Sequence, residues 1–261
     1  SDVCSSDLAD PGARPIPGHH VGRIEGPRRL TRDVMHFDLA LERAMDYQAG
    51  QFALLEVEGL PGARAYSMVT HAPGTDRLGF VVKRLPGGGF SDWLFDGPVE
   101  GAAVRLFGPL GAATFHPEEG RDILCVAGGS GIAGMMAIAD HACRSGHFER
   151  HRGHVFFGVR TLEDCFYMEE LAELVGRSGG GLEVTVALSH EETGLGRHPD
   201  HPAIRLDTGF VHEAAARAMA GRYENVMAYV AGPPPMVDAA IRVLISEGKL
   251  GTADIRYDKF G

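Results

Sequence analysis

No apolar stretch in this chain approaches the roughly 20 residues needed to cross a bilayer. None follows a charged opening in the manner of a secretory leader either. Cysteine is scarce, with four in 261 residues: Cys4, Cys125, Cys143 and Cys165. None forms a C-x-x-C pair, so no zinc site or ferredoxin-type cluster finds its ligands by spacing. Cys125 stands within Ile123-Leu124-Cys125-Val126, where a small thiol reads as buried filler. Basic residues are outnumbered, 25 Lys and Arg against 35 Asp and Glu, for a net charge of −10. With no basic stripe, that balance speaks against a nucleic-acid partner. The expectation is a cytoplasmic protein with no membrane attachment and no metal of its own.

The abundant residue is glycine, 36 in all, much of it clustered between apolar runs. Such clusters mark tight turns or places where backbone closes on a ligand. At roughly 100–200 residues per domain, the length allows one large or two modest domains, and the rhythm of the chain chooses two. Residues 1–20 are rich in Pro, Gly, Ser and Asp without periodicity, as in a disordered leader or linker. From 21 to 116 the signals are short and strand-like: Val34–Leu39, Phe52–Val57, Leu78–Lys83 and Val104–Phe107, separated by Gly/Pro turns. That pattern suggests a barrel or sandwich. From 117 to 261 strands and helices alternate. Strands are expected at Ile123–Ala127, His154–Val159, Val184–Leu188 and Val226–Ala231. Helices are expected at Ile132–Ser145, Tyr167–Val175, Val211–Ala220 and Met236–Glu247, and Ala253–Tyr257 closes the series. Such alternation marks a doubly wound, mostly parallel α/β sheet.

Two turns in this second half carry chemistry. Gly128-Gly129-Ser130-Gly131 follows a strand and opens a helix, and Gly129–Gly134 fits G-x-G-x-x-G. Backbone can approach a phosphate there, and free N–H groups at the helix start attract the anion. The acidic residue that would hold a ribose is replaced at the next strand end by Arg160, so a turn that merely packs stays open as a reading. Gly232-Pro233-Pro234-Pro235-Met236 sits likewise between strand and helix, stiffened by its prolines. In the first half, Arg64-Ala65-Tyr66-Ser67 offers a cation for a diphosphate, an aromatic face for a flat ring and a hydroxyl. Gly88-Gly89-Phe90-Ser91 offers another glycine turn at a helix start.

In this order, RAYS, GGGFS, GPLG, GGSGIAG, FFGVRTLED and GPPPM resemble the ferredoxin–NADP reductase superfamily, over about residues 21–261. The resemblance implies a β-barrel FAD domain followed by an α/β nucleotide domain. It implies that Arg64, Tyr66 and Ser67 hold FAD, with Ser67 near the reactive ring nitrogen, and that Gly88, Gly89, Phe90 and Ser91 support the diphosphate. Gly129, Ser130, Gly131, Arg160, Gly232, Pro233, Pro234 and Met236 would shape the nicotinamide-nucleotide site. The ending Tyr257-Asp258-Lys259-Phe260 looks like the tails of reductases that serve bacterial oxygenases, and places Phe260 at the flavin. Ser67 and Phe260 are then the residues at the reacting ring. The implied activity takes hydride from a nicotinamide nucleotide and passes single electrons to an iron–sulfur protein or oxygenase component. Two positions depart from the family pattern: Gly134 stands where Pro is usual, and Ala231 where Cys is usual.

Ser189 is followed by His190-Glu191-Glu192. Carboxylates there would repel a 2′-phosphate and accept ribose hydroxyls, favouring NADH over NADPH. The remaining conspicuous residues read more plainly. His198-Pro199-Asp200-His201-Pro202 is a solvated loop rather than a metal site, Glu169-Glu170 an exposed helix face, and Trp93 a core residue. Two other functions remain: a non-catalytic module binding flavin and nucleotide, and a reductase of a small acceptor such as free flavin, ferric chelate or quinone.

Overall fold

The computed structural model describes residues 15–191 and 196–260. Its first half is an antiparallel sheet of β1 (Gly18–Arg29), β2 (Val34–Met45), β3 (Phe52–Glu56), β4 (Arg64–Ser67), β5 (Thr75–Lys83) and β6 (Ala103–Leu110). The spatial order is β4-β3-β6-β1-β2-β5. A bridge from Met68 to Phe80 joins the two ends, curling the sheet into a barrel. Alternation decides which face turns inward: Phe37, Leu39 and Leu41 of β2 are buried, while the alternating His36, Asp38 and Ala40 lie on the other face. Helix α1 (Gly89–Asp96) closes the barrel with Phe90, Leu94 and Phe95. Trp93 packs partly buried against this core, as its spacing suggested.

β1 corrects one expectation. It opens at Gly18, inside the stretch assigned by composition to the leader, and pairs from there with β6. Its run of His, Arg and Gly hides the strand, because Gly22 and Ile24 alone among its residues are buried.

The second half contains β7 (Asp122–Gly128), α2 (Ile132–Arg144), β8 (Gly153–Val159), α3 (Met168–Arg177), β9 (Leu182–Leu188), β10 (Gly196–Arg197) and β11 (Arg205–Thr208). These are followed by α4 (Val211–Met219), β12 (Val226–Gly232), α5 (Pro234–Ser246) and β13 (Ile255–Lys259). The sheet runs β10-β11-β9-β8-β7-β12-β13, parallel except for the β10–β11 pair. β12 is buried along its whole length, as expected of a parallel strand covered on both faces. β10 and β11 were not expected from the sequence: they are short, and no residue of either is fully buried.

The two halves share one apolar core. Val34, Ala49, Val69, Val81 and Phe115 of the first half belong to the same buried cluster as Ile132, Met135, Ile138 and Phe166 of the second. The boundary between the sheets is thus a packed interior rather than a wet seam.

Candidate functional site

The chain leaves β7 toward β8 on one side, and β12 lies on its other side. Their carboxyl ends therefore flank a topological switch point, the crevice where open α/β sheets bind ligands. A cavity of about 990 Å³ opens there and runs into the barrel half. Gly129 and Ser130 line it after β7, and Pro233 and Met236 after β12. Arg64, Tyr66 and Ser67 of β4 line it from the other side, with Gly88, Phe90 and Ser91 at the start of α1. Two glycine turns and the β4 motif, far apart in sequence, thus share one chamber.

On the barrel side the chemistry suits a large flat cofactor with phosphates. The Arg64 guanidinium is exposed at the cavity wall, and its one hydrogen bond among the described residues is to the carbonyl of Ala63, at 3.0 Å. Burial pushes the Tyr66 phenol up to about 12, and its ring lies 5.3 Å from that of Phe90. No side chain caps α1, so its first N–H groups are free to meet an anion. Ser91 works inside this turn. Its Oγ accepts from the Leu85 N–H at 3.1 Å and faces the carbonyls of Leu85 and Gly88, so it shapes this glycine turn from within. Gly89 is not among the lining residues, and a β-carbon there would meet Pro61 at 3.4 Å.

On the nucleotide side the glycines divide their work. Gly129, with φ +54 and nothing within 4 Å of a would-be β-carbon, gives open backbone to the cavity. Gly131 does not line it. A β-carbon there would sit 2.3 Å from the Ala231 carbonyl oxygen, so this glycine lets α2 close on β12. Gly232, which is buried, and Pro234, which is exposed, do not line the cavity either. Gly232 has φ +152 and would drive a β-carbon into Met236 at 2.4 Å. Pro234 opens α5 and its neighbour Pro235 faces the cavity. Gly134 and Ala231, where the chain departs from the family pattern, are both buried.

Arg160 lines the cavity and is exposed, its guanidinium without a partner among the described residues. Ser189 lines it beside Arg160, but Glu191 turns away: its carboxylate accepts the Leu162 N–H at 2.9 Å. Glu192 lies outside the described residues. Phe210 and His212, at the start of α4, are among the wall residues that escaped the sequence reading. They stack with centroids 5.8 Å apart and planes 15° apart. The only hint was an exposed-type aromatic after Gly209, which does not reveal the face it presents.

The terminal strand completes the chamber. Phe260 lines it while packing partly buried against the shared core, and its N–H bonds the Gly232 carbonyl at 3.2 Å. Lys259 is tied to Asp238 of α5 at 2.7 Å. Asp258, two residues before Phe260 and paired with Ala231, has no side-chain hydrogen bond or ion pair among the described residues. Burial pushes its carboxyl up to about 6. Its position was visible in the sequence; its burial was not.

Other expectations resolve simply. Cys125 is fully buried and its thiol is pushed up to about 12. His198 is buried rather than solvated, its Nδ1 accepting the N–H groups of Asp200 and His201 at 3.3 and 3.2 Å. No group of three or more His, Cys, Asp or Glu among the described residues could hold a metal. No helix among them is long and apolar enough to cross a membrane.

Comparison with known proteins agrees with this architecture. The oxidoreductase FAD-binding domain family matches residues 22–115, and the oxidoreductase NAD-binding domain family matches 125–242. The ferredoxin–NAD(P)+ reductase CarAd of Metapseudomonas resinovorans is 34% identical over 250 residues, 94% of this chain and 71% of that protein. The reductase component of propane 2-monooxygenase from Mycolicibacterium goodii is 32% identical over 88% of this chain and 64% of its own length. The ferredoxin reductase in carbazole 1,9a-dioxygenase superposes with a TM-score of 0.80 at 32% identity, covering 94% of this chain and 70% of that one. The chain belongs to the ferredoxin–NADP reductase superfamily, as an NAD(P)H-dependent flavoprotein oxidoreductase.

Proposed function

We propose that the chain oxidises NADH and passes single electrons to an iron–sulfur protein or oxygenase component in the cytoplasm. Residues 21–116 would form its flavin half and residues 117–261 its nucleotide half. The observation that carries this reading is the single cavity that both halves line, with Phe260 at its wall. FAD bound there would supply the exchange between a two-electron donor and a one-electron acceptor.

The chain's own residues hold, orient and exclude water. Arg64 and the free N–H groups of α1 neutralise the diphosphate. Tyr66 gives an apolar face to the ring and Ser67 a hydroxyl beside it. Gly129, Ser130, Pro233 and Met236 shape the nicotinamide end, and the Phe210–His212 stack offers a flat surface for a base. Phe260 covers the ring and keeps water out. Alignment of this kind, rather than acid–base chemistry, is what the site provides.

The names of the relatives support the acceptor class: two are reductase components or partners of oxygenase systems. NADH preference now rests on the Glu191 region as a whole, since that carboxylate is engaged with Leu162. Arg160 is the side chain positioned to oppose it.

The test is anaerobic mixing of the FAD-loaded protein with NADH or NADPH. Rapid loss of flavin colour is expected, with kcat/KM about 10- to 100-fold higher for NADH, given surface charge repulsion reduced by screening. Arg160→Ala should leave NADH use nearly intact. No bleaching with either nucleotide would leave a non-catalytic binding module. Bleaching followed by transfer only to free flavin, ferric chelate or quinone would leave a small-acceptor reductase.

A further inference from the structure

Hydride transfer depends on how closely the two halves hold their ligands together, and one side chain ties the halves beside the cavity without lining it. Tyr167 precedes α3 in the nucleotide half with φ +60, a left-handed conformation rare for a residue with a β-carbon. That turn sends its buried ring toward the barrel. There its hydroxyl lies 2.7 Å from Nδ1 of His36 on the outer face of β2. His36 is itself fixed. Its Nε2 lies 3.3 Å from Asp38 Oδ1, and Arg77 donates to the other Asp38 oxygen at 3.1 Å. The bond from His36 holds the Asp38 carboxyl below the usual carboxylate range. With Nε2–H donated to that carboxylate, Nδ1 presents a lone pair to the Tyr167 hydroxyl.

The neighbour of Tyr167 connects this tie to the chamber. Phe166 is buried, lines the cavity, and packs edge-on against Phe157 and Tyr167, each at 5.2 Å. Asp164, in the same loop, lines the cavity as well. The wall from Asp164 to Phe166 therefore adjoins a bond whose other end is in the flavin half, with an exposed Arg28–Glu170 ion pair at 3.2 Å crossing nearby.

Resting on the reading of the cavity given above, we propose that Tyr167 is a positioning residue: through His36 it fixes the spacing of the two halves, and with it the alignment of donor and acceptor. The shared core and a separate tie from Arg144 of α2 to His71 hold the halves together without it. Loss of the hydroxyl should thus move one wall rather than undock a domain.

Four variants test this. Tyr167→Phe removes the hydroxyl and keeps the ring. His36→Leu removes the acceptor. The two are also combined. His36→Asn restores an acceptor close to the position of Nδ1. In FAD-loaded protein, Tyr167→Phe and His36→Leu should each slow NADH-driven bleaching about 5- to 30-fold, because small misplacements are costly to aligned reactions. NADH saturation should stay within about twofold, the double variant should be no slower than the slower single one, and His36→Asn should recover most of the rate. In flavin-free protein, amide hydrogen exchange should quicken across residues 164–168 in Tyr167→Phe and stay unchanged in β7 and β12.

Wild-type bleaching by Tyr167→Phe would overturn the proposal. So would strictly additive losses, or a slowed rate that only tracks a lower melting temperature and lower flavin retention. Should wild-type protein fail to bleach with NADH, the function proposed above falls instead. The exchange measurement would then still decide whether Tyr167 holds the wall.

Discussion

Asp258 places a carboxylate in β13, two residues before Phe260, with no ion-pair partner among the described residues. Its folded-state value near 6 lies above the roughly 3.9 of an unfolded aspartate. Folding therefore favours the protonated acid. The resulting stabilisation is fully present below about pH 4 and is lost as pH rises through about 6. Asp258→Asn should accordingly raise the stability of the flavin-free protein by about 1–2 kcal/mol at pH 7.5, discounted for partial solvent access, and change it little at pH 4. Denaturant titrations at the two pH values check this, and an equal effect at both would remove the burial argument. Arg64 makes the opposite case, an exposed cation with little to do for the fold. Arg64→Ala should weaken FAD binding roughly 10- to 150-fold, the loss of one charge-assisted bond, with an unchanged circular dichroism spectrum. Arg64, Tyr66 and Ser67 were singled out by residue type together with the family resemblance, and all three line the cavity. Ser91 could be placed but not interpreted, since only coordinates reveal that its hydroxyl is spent on Leu85 and Gly88. Tyr167 looked like an ordinary first helical residue, because nothing in one dimension marks a left-handed turn.

Among elements, the parallel strands were the most readable. β7 and β12 are near-continuous apolar runs ending in glycine turns, and burial on both faces requires that pattern. β1 was lost because a half-exposed strand tolerates Arg and His at outward positions, and β11 because it is a four-residue segment, none of it fully buried, near the sheet edge. Helix boundaries moved by a residue or two, as at α5, which starts on Pro234 rather than Met236. The junction of β7 and α2 yields a prediction about the glycine motif. Gly131→Ala should cost about 1–3 kcal/mol, because the methyl would meet rigid backbone at Ala231 and α2 would have to move off β12. Gly129→Ala meets open space and carries only the left-handed backbone penalty, about 1–2 kcal/mol. Thermal denaturation should rank Gly131→Ala the less stable, while nucleotide affinity should suffer in both. The reverse stability order would mean that α2 can shift freely.

At the scale of the molecule, the division into a flavin half and a nucleotide half could be read from the change in rhythm near residue 116, but the way the halves meet could not. Val34, Val69 and Val81 look like ordinary strand residues, yet they pack in the core of the other half. A calorimetric scan of the flavin-free protein should therefore show one cooperative transition, with the van't Hoff enthalpy matching the measured heat. Two resolved transitions would mean that the shared core does not couple the halves. The same core bears on how such proteins can be recombined. Joining the flavin half of this chain to the nucleotide half of a relative, cut neatly between the sheets, would face Val34, Ala49, Val69, Val81 and Phe115 with a surface shaped for other side chains. Chimeras should fold only when those five positions travel with the partner that packs on them, so the heritable unit lies across the domain boundary rather than on either side of it.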